Sequence, residues 1–217
     1  MAHPLLTQNG LYAITDGPRD DLVAACEAAI DGGAVLLQYR DKTRDAARRL
    51  AEARTLAALC ARRRIALIVN DDVDLALESD AMGVHLGQDD ADIARARAKL
   101  GPCAIVGVSC YDSLDRARLL ASAGADYLAF GAFFASPTKP NARKATPARL
   151  RDAKALGLPL VAIGGITADN GAVLVEAGAN YLAAISAVFG ASDVRGAARS
   201  FAALFEPPSV VPAKAGT

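Results

Sequence analysis

Residues 45–69, DAARRLAEARTLAALCARRRIALIV, carry the chain from one helix into one strand. Asp45–Arg63 is Ala-rich and sets Leu50, Leu56 and Leu59 among Arg48, Arg49, Glu52 and Arg54, the mixture of an amphipathic helix. Ile65–Val69 then runs without a polar residue. A strand that is apolar at every position, not at alternate ones, is buried on both faces, as in a parallel sheet flanked by helices.

The same passage repeats outward in both directions. Apolar, strand-like runs stand at Leu11–Thr15, Ala34–Gln38, Ile65–Val69, Gly83–Leu86, Ala104–Val108, Tyr127–Gly131, Leu160–Ile163 and Tyr181–Ile185. Helical patterns follow at about Asp20–Ile30, Asp45–Arg63, Asp72–Glu78, Ile93–Leu100, Ser113–Ala123, Pro147–Ala155, Ala168–Ala177 and Val194–Leu204. Eight strands, each followed by a helix, predict an α/β fold: a single (β/α)8 TIM barrel spanning residues 1–217, with an ordered core over about 10–205. A doubly wound sheet also alternates strand and helix, but uses fewer strands over this length. A Gly-Ala pair recurs at Gly33, Gly124 and Gly178, each ahead of a strand, where glycine suits the left-handed turn that ends a helix. Residues 206–217 hold three prolines and little to bury, and are expected to form a flexible tail.

The 217 residues are 53% hydrophobic and 22% charged, a globular composition that suits one domain. Lys plus Arg is 24 and Asp plus Glu is 24, so the net charge is zero. That balance argues against a general nucleic-acid binder and against a polybasic membrane anchor. No apolar run approaches the roughly 18 residues of a membrane helix. The first ten residues lack the charged start and apolar stretch of a secretory signal. Cys26, Cys60, Cys103 and Cys110 form no CxxC pair and read as reduced thiols of a cytoplasmic protein. With only His3 and His85 to offer imidazole, a zinc site is disfavoured.

Polar residues gather just past the carboxyl ends of the expected strands, the face on which barrel enzymes keep their active sites. They are Gln38, Arg40 and Lys42; Asn70 and Asp71; Gln88 and Asp90; Ser109; Ser136, Thr138 and Lys139; Gly164 and Gly165; and Ser186. Asp71 and Asp90 offer hard oxygen ligands on neighbouring loops, suited to Mg²⁺ completed by water and substrate phosphate. The alternative for such acids is helix capping, for which Asp72 and Asp89 are better placed. Arg40, Lys42 and Lys139, continued by Arg143 and Lys144, would suit a diphosphate. Gly164-Gly165 and Ser186, after strands seven and eight, suit a second phosphate bound through backbone N–H groups. His85 is open between an acid–base role and a structural one. The longest loop, Phe133 to Thr146, is expected to be functional and to close over substrate.

These motifs resemble the thiamine phosphate synthase family. The resemblance runs from Leu11 to Phe189. It rests on Leu-Tyr-Ala-Ile-Thr-Asp at 11–16, Gln-Tyr-Arg-Asp-Lys at 38–42 and Val-Asn-Asp at 69–71. It continues with Gly-Val-His-Leu-Gly-Gln-Asp-Asp at 83–90, Gly-Val-Ser at 107–109, Ser-Pro-Thr-Lys at 136–139, Ala-Ile-Gly-Gly-Ile at 162–166 and Ala-Ile-Ser at 184–186. It implies a transferase that joins hydroxymethylpyrimidine diphosphate to thiazole phosphate, or its carboxylate, and releases pyrophosphate. It implies Mg²⁺ on Asp71 and Asp90. Arg40, Lys42, Asn70 and Lys139 would hold the diphosphate, with Tyr39 and Asp41 among the substrate-binding set. Gln38 and Ser109 would meet the pyrimidine, and Ser136, Thr138, Gly165, Ile185 and Ser186 the thiazole phosphate, with Pro137 also in the substrate-binding set. Lys42, Lys139 and Ser109 would be the catalytic residues. Small phosphorylated molecules are the implied partners. A homo-oligomer is compatible with the Ala-rich exterior, although no residue marks an interface.

Three rivals compete. A thiazole tautomerase-like relative need not keep Lys42, Asp71, Asp90 and Lys139, all present here. A Schiff-base aldolase would need Lys139 desolvated, whereas it sits in polar Ser-Pro-Thr-Lys-Pro. A non-catalytic sensor would bind both phosphorylated ligands without turnover.

Overall fold

A computed structural model describes residues 3–87, 92–135 and 145–206. Eight parallel strands close on themselves in chain order, β1 next to β2 and so on until β8 pairs with β1. They are β1 (Gly10–Ile14), β2 (Ala34–Tyr39), β3 (Ala66–Asn70), β4 (Gly83–Leu86), β5 (Ile105–Tyr111), β6 (Tyr127–Phe130), β7 (Leu160–Ile163) and β8 (Tyr181–Ala184). The expected TIM barrel is therefore the observed architecture. The expected tail, apart from Glu206, lies outside the described residues.

The helices are α1 (Leu22–Asp31), α2 (Ala46–Arg63), α3 (Val73–Glu78), α4 (Ile93–Leu100), α5 (Leu114–Ser122), α6 (Pro147–Ala153), α7 (Ala172–Glu176), α8 (Ser186–Phe189) and α9 (Val194–Ala202). In α2, Ala53, Leu56, Leu59 and Cys60 are buried against the sheet, while Arg48, Arg49 and Arg63 face outward into ion pairs. Several starts are fixed by a side chain that accepts an otherwise orphaned N–H: Asp45 from Arg48, Asp72 from Leu75, Asp92 from Arg95 and Ser113 from Arg116. Asp72 is thus the cap that its position suggested. Asp89 lies outside the described residues.

Two helical stretches differ from expectation, and β5 runs past the expected Val108 to Tyr111. α7 starts at Ala172 and not at Ala168, because the Asn170 side chain accepts from Thr167 N–H and holds 167–170 in a turn. A short extra helix, α8, stands between β8 and α9.

Alternation along the strands divides the core in two. One cluster lies between sheet and helices; the other, with Tyr12, Leu36, Ile68, Ile105, Tyr127, Val161 and Tyr181, fills the barrel. A single turn of 3-10 helix at Pro4–Leu6 drives Leu6 into that interior cluster. Room for the tyrosines comes from glycine. A Cβ on Gly107 would lie 1.8 Å from Cζ of Tyr127, so no other residue fits beneath that ring.

Cys26, Cys60 and Cys110 are buried free thiols and Cys103 is exposed and free. Burial pushes the Cys60 and Cys110 thiols up to about 12, so they stay protonated and behave as small apolar side chains. Among the described residues no helix is long and apolar enough to cross a membrane.

Candidate active site

The carboxyl ends of all eight strands open into one cavity of about 1020 Å³. That is at the upper end of the range for small-molecule sites, enough for two substrates side by side. Because strands follow one another around a closed ring of eight, β3 and β7 face each other across the mouth.

On the β2–β3 side the cavity is lined by Arg40, Lys42, Asn70 and Asp71. Arg40 is held by Thr15 at the end of the neighbouring β1. The buried Thr15 hydroxyl accepts from Arg40 N–H at 2.8 Å and donates to Arg40 C=O at 3.1 Å. Among the described residues, no carboxylate pairs with Arg40 or Lys42. Asp71 adopts a left-handed backbone (φ 61°), a conformation that Asp tolerates better than most residues. Its N–H donates to His85 C=O at 2.8 Å. Its carboxylate accepts from Asn70 Nδ2 at 2.7 Å and from Gly87 N–H at 3.2 Å. The carboxylate is therefore fixed in place before any ligand arrives, with lone pairs to spare.

Tyr39 and Asp41, expected to bind substrate, point elsewhere. They follow the alternation of β2, which sends every second side chain out of the barrel. The Tyr39 hydroxyl donates to Glu52 on α2 at 2.6 Å. The Asp41 carboxylate is fully buried against Arg48 at 2.7 Å and accepts from Thr43 N–H at 2.7 Å. Burial works to raise the Asp41 pKa, but the Thr43 and Arg48 hydrogen bonds outweigh it and hold the carboxyl below the usual carboxylate range. Both side chains brace the β2–α2 loop and lie outside the cavity.

The floor is neutral and is crossed by a run of hydrogen bonds, although the buried Tyr181 hydroxyl beneath it has no partner among the described residues. Gln38 Nε2 donates to the Tyr12 hydroxyl at 2.7 Å, and the Tyr12 and Tyr127 hydroxyls are 2.8 Å apart. The Tyr127 hydroxyl lies 3.0 Å from His85 Nδ1, and His85 Nε2 lies 2.9 Å from Ser109 Oγ. The His85 ring stacks on Tyr127 with centroids 5.6 Å apart. Burial pulls the imidazole down to about 4, so His85 is neutral at physiological pH. The question that the sequence left open at His85 becomes a hydrogen-bonding role in the wall of the cavity.

On the β7–β8 side the cavity is lined by Gly164, Gly165, Thr167, Ile185 and Ser186. Both glycines have left-handed φ (104° and 64°). A Cβ on Gly165 would lie 2.5 Å from Ala135 C=O, and one on Gly164 would lie 2.4 Å from Cβ of Ala132. Glycine is thus demanded here by the turn and by the segment after β6 that packs across it. Access of a phosphate is at most a further reason. Asn170 Nδ2 donates to Gly165 C=O at 3.0 Å and steadies the turn.

Of the expected site residues, the fold brings together Gln38, Arg40, Lys42, Asn70, Asp71, Ser109, Gly165, Ile185 and Ser186. Asp90, Ser136, Pro137, Thr138 and Lys139 lie outside the described residues, as do Gln88, Arg143, Lys144 and most of the Phe133–Thr146 loop. The sequence reading missed Tyr12, Asp112 and Thr167, which also line the cavity. Tyr12 could have been found as a polar-tipped residue inside an apolar strand. Asp112 was missed because β5 runs on to Tyr111. Asp112 is engaged by Arg149 at 3.1 Å.

A barrel mouth with two cations and a fixed carboxylate on one side, a glycine turn and a serine opposite, and a neutral floor between them suits an enzyme of phosphorylated small molecules. Comparison with known proteins narrows the class. The model of the family "Thiamine monophosphate synthase" matches residues 11–188. The chain belongs to that family, and is a transferase. It is 55% identical over 199 residues to the thiamine-phosphate synthase of Thiobacillus denitrificans, covering 90% of this chain and 94% of the relative. It is 52% identical over 205 residues to that of Methylobacillus flagellatus, covering 94% and 98%. Among solved structures, thiamine phosphate pyrophosphorylase from Pyrococcus furiosus superposes with a TM-score of 0.83 at 35% identity, covering 92% of this chain and 96% of that one.

Proposed function

We propose that this chain joins 4-amino-5-hydroxymethyl-2-methylpyrimidine diphosphate to thiazole phosphate, giving thiamine phosphate and pyrophosphate in the cytoplasm, or to the thiazole phosphate carboxylate, in which case CO2 is released as well. The observation that carries this reading is the polarity of one cavity. Arg40 and Lys42 stand on the β2 side, the Gly164-Gly165 turn and Ser186 stand on the β7–β8 side, and an uncharged floor separates them. Two anionic groups can bind there without meeting.

In the reaction the C–O bond between the pyrimidine methylene and the diphosphate breaks. The electron pair leaves on the diphosphate oxygen. The thiazole nitrogen then donates its lone pair to the methylene carbon. The aminopyrimidine ring spreads the positive charge, so no protein nucleophile is needed. Arg40 and Lys42 stabilise the charge gathering on the departing diphosphate. Asn70 adds a polar contact beside them. Gln38 and Ser109 hold the pyrimidine edge, and Gly165, Ile185 and Ser186 hold the thiazole phosphate. Positioning the two partners in one cavity contributes up to about 7–11 kcal/mol of the acceleration.

The chemistry of Asp71 fits Mg²⁺. It is a preset carboxylate at the cavity wall, and Mg²⁺ is usually held by one or two carboxylates with water and substrate phosphate. Asp90 is assigned as its companion on sequence grounds. The ion would supply Lewis-acid stabilisation of the leaving group. Lys139 and Ser136–Thr138 are assigned, by the same resemblance, to the diphosphate and the thiazole phosphate respectively.

The test is turnover of the two substrates by the wild type and by Lys42→Ala and Asp71→Asn, with folding checked by circular dichroism. The expected result is a loss of at least about a hundredfold in kcat/KM for each variant, the scale of removing one transition-state charge contact. Wild-type rates in both variants would remove this face from the reaction.

A further inference from the structure

The five groups of the cavity floor form a chain of four contacts, Gln38–Tyr12–Tyr127–His85–Ser109, all between 2.7 and 3.0 Å. Each contact needs one proton, and with the Gln38 amide set with Nε2 towards Tyr12, counting protons fixes how they are shared. Tyr12 accepts from Gln38 Nε2, so the Tyr12 proton must go on to Tyr127. Were Tyr127 to donate to Tyr12 instead, the Tyr12 proton would have no acceptor among the described residues, although Tyr12 is 1% exposed. The Tyr127 proton is then free to serve His85 Nδ1, and His85 must carry its own proton on Nε2 and donate it to Ser109 Oγ. The Ser109 proton is left for the cavity.

We propose that this chain runs in one direction, from Gln38 to Ser109, and that Tyr127 is the positioning residue that presets Gln38 as an acceptor and Ser109 as a donor towards substrate. Tyr127 does not line the cavity; it acts only through the chain. With Nε2 engaged by Tyr12, Gln38 has Oε1 left for a ligand N–H. Ser109 offers its O–H to a ligand lone pair. One acceptor and one donor in fixed positions match an amino group beside a ring nitrogen, as in a 4-aminopyrimidine. They oppose a 4-oxopyrimidine, whose edge has the reverse polarity. The match to an aminopyrimidine rests on the function proposed above; the direction of the chain does not.

The packing explains why the chain holds its course. Gly107 leaves the space that the Tyr127 ring occupies, the Tyr12 and Tyr127 rings meet edge-on at 88°, and the His85 ring stacks on Tyr127 at 16°. Tyr127 is thus packed between the Tyr12 and His85 rings.

The experiment is nitrogen NMR of ligand-free protein labelled with ¹⁵N-histidine at neutral pH. The chain has two histidines, and His3→Gln assigns the spectrum. The expected result for His85 is a pyrrole-type signal at Nε2 and a pyridine-type signal at Nδ1. Tyr127→Phe keeps the ring and removes the donor, so the two signals should move towards an average. The same variant should raise the KM for the pyrimidine diphosphate about tenfold, the effect of one lost hydrogen bond, and leave the KM for thiazole phosphate unchanged. A pyridine-type Nε2 in the wild type, or an unaltered His85 spectrum in Tyr127→Phe, would overturn the proposal. Absence of turnover with the expected spectrum would instead overturn the substrate assignment and leave the chain standing.

Discussion

Replacing Asp41 by Ala separates bracing from binding at the β2–α2 loop. The carboxylate has no exposure and is held by Arg48 at 2.7 Å and by Thr43 N–H at 2.7 Å. Arg48 is not stranded by its loss. It keeps Glu52 at 2.9 Å and Asp45 at 3.6 Å, and 29% of its side chain is exposed. The roughly 3–5 kcal/mol of an abandoned buried charge therefore does not apply in full. What disappears is a charge-assisted hydrogen bond and a turn-closing one, together about 2–3 kcal/mol. For a chain of this size that corresponds to a fall of about 5–10 °C in Tm. Activity should persist well below the new Tm, with a raised KM for the pyrimidine diphosphate, because the loosened loop carries Lys42. Differential scanning calorimetry and initial rates on the same sample make the test. An unchanged Tm with activity abolished would refute the reasoning and return Asp41 to the substrate.

Other outcomes follow from the same geometry. His85 has a folded-state pKa of about 4 against an unfolded value near 6.5, so between those values the unfolded chain binds a proton that the folded chain does not. Stability should therefore fall as pH drops from about 6.5 to 4, by about 3 kcal/mol, and His85→Asn should flatten that part of a Tm-versus-pH curve. Gly107→Ala places a methyl 1.8 Å from Cζ of Tyr127 and should cost about 1–3 kcal/mol, measured by urea unfolding; an unchanged midpoint would mean that the barrel floor yields. Ser186→Ala should raise the KM for thiazole phosphate and spare that for the pyrimidine diphosphate in steady-state assays. Substitution at Gly165 is no substitute for that test, because a side chain there meets backbone 2.5 Å away before any ligand is bound.

Much of the fold was legible because each strand is buried on both faces. Continuous apolar runs such as Leu67–Val69 need helices on one side and a filled barrel on the other, and few architectures offer that. The place of the site was legible as well, since polar residues such as Asn70 and Asp71 stand where strands end. Less legible was the direction of side chains. Tyr39 and Asp41 share a motif with Gln38, Arg40 and Lys42, yet alternation sends them outward, and their partners Glu52 and Arg48 lie in the first two turns of α2. Motif membership carries no such sign. The proton chain was illegible for a related reason: Tyr12, His85 and Tyr127 are far apart in sequence, and only closure of the barrel brings them together. The late start of α7 turned on one side-chain hydrogen bond at Asn170, a competition that periodicity does not register.

The most direct test of the central claim is to mix the purified chain with hydroxymethylpyrimidine diphosphate and thiazole phosphate, with Mg²⁺ or with a chelator, and to read thiamine phosphate as its fluorescent oxidation product. The account predicts product that depends on the metal and appears one-for-one with pyrophosphate. Binding of both substrates with no product in the presence of Mg²⁺ would contradict it.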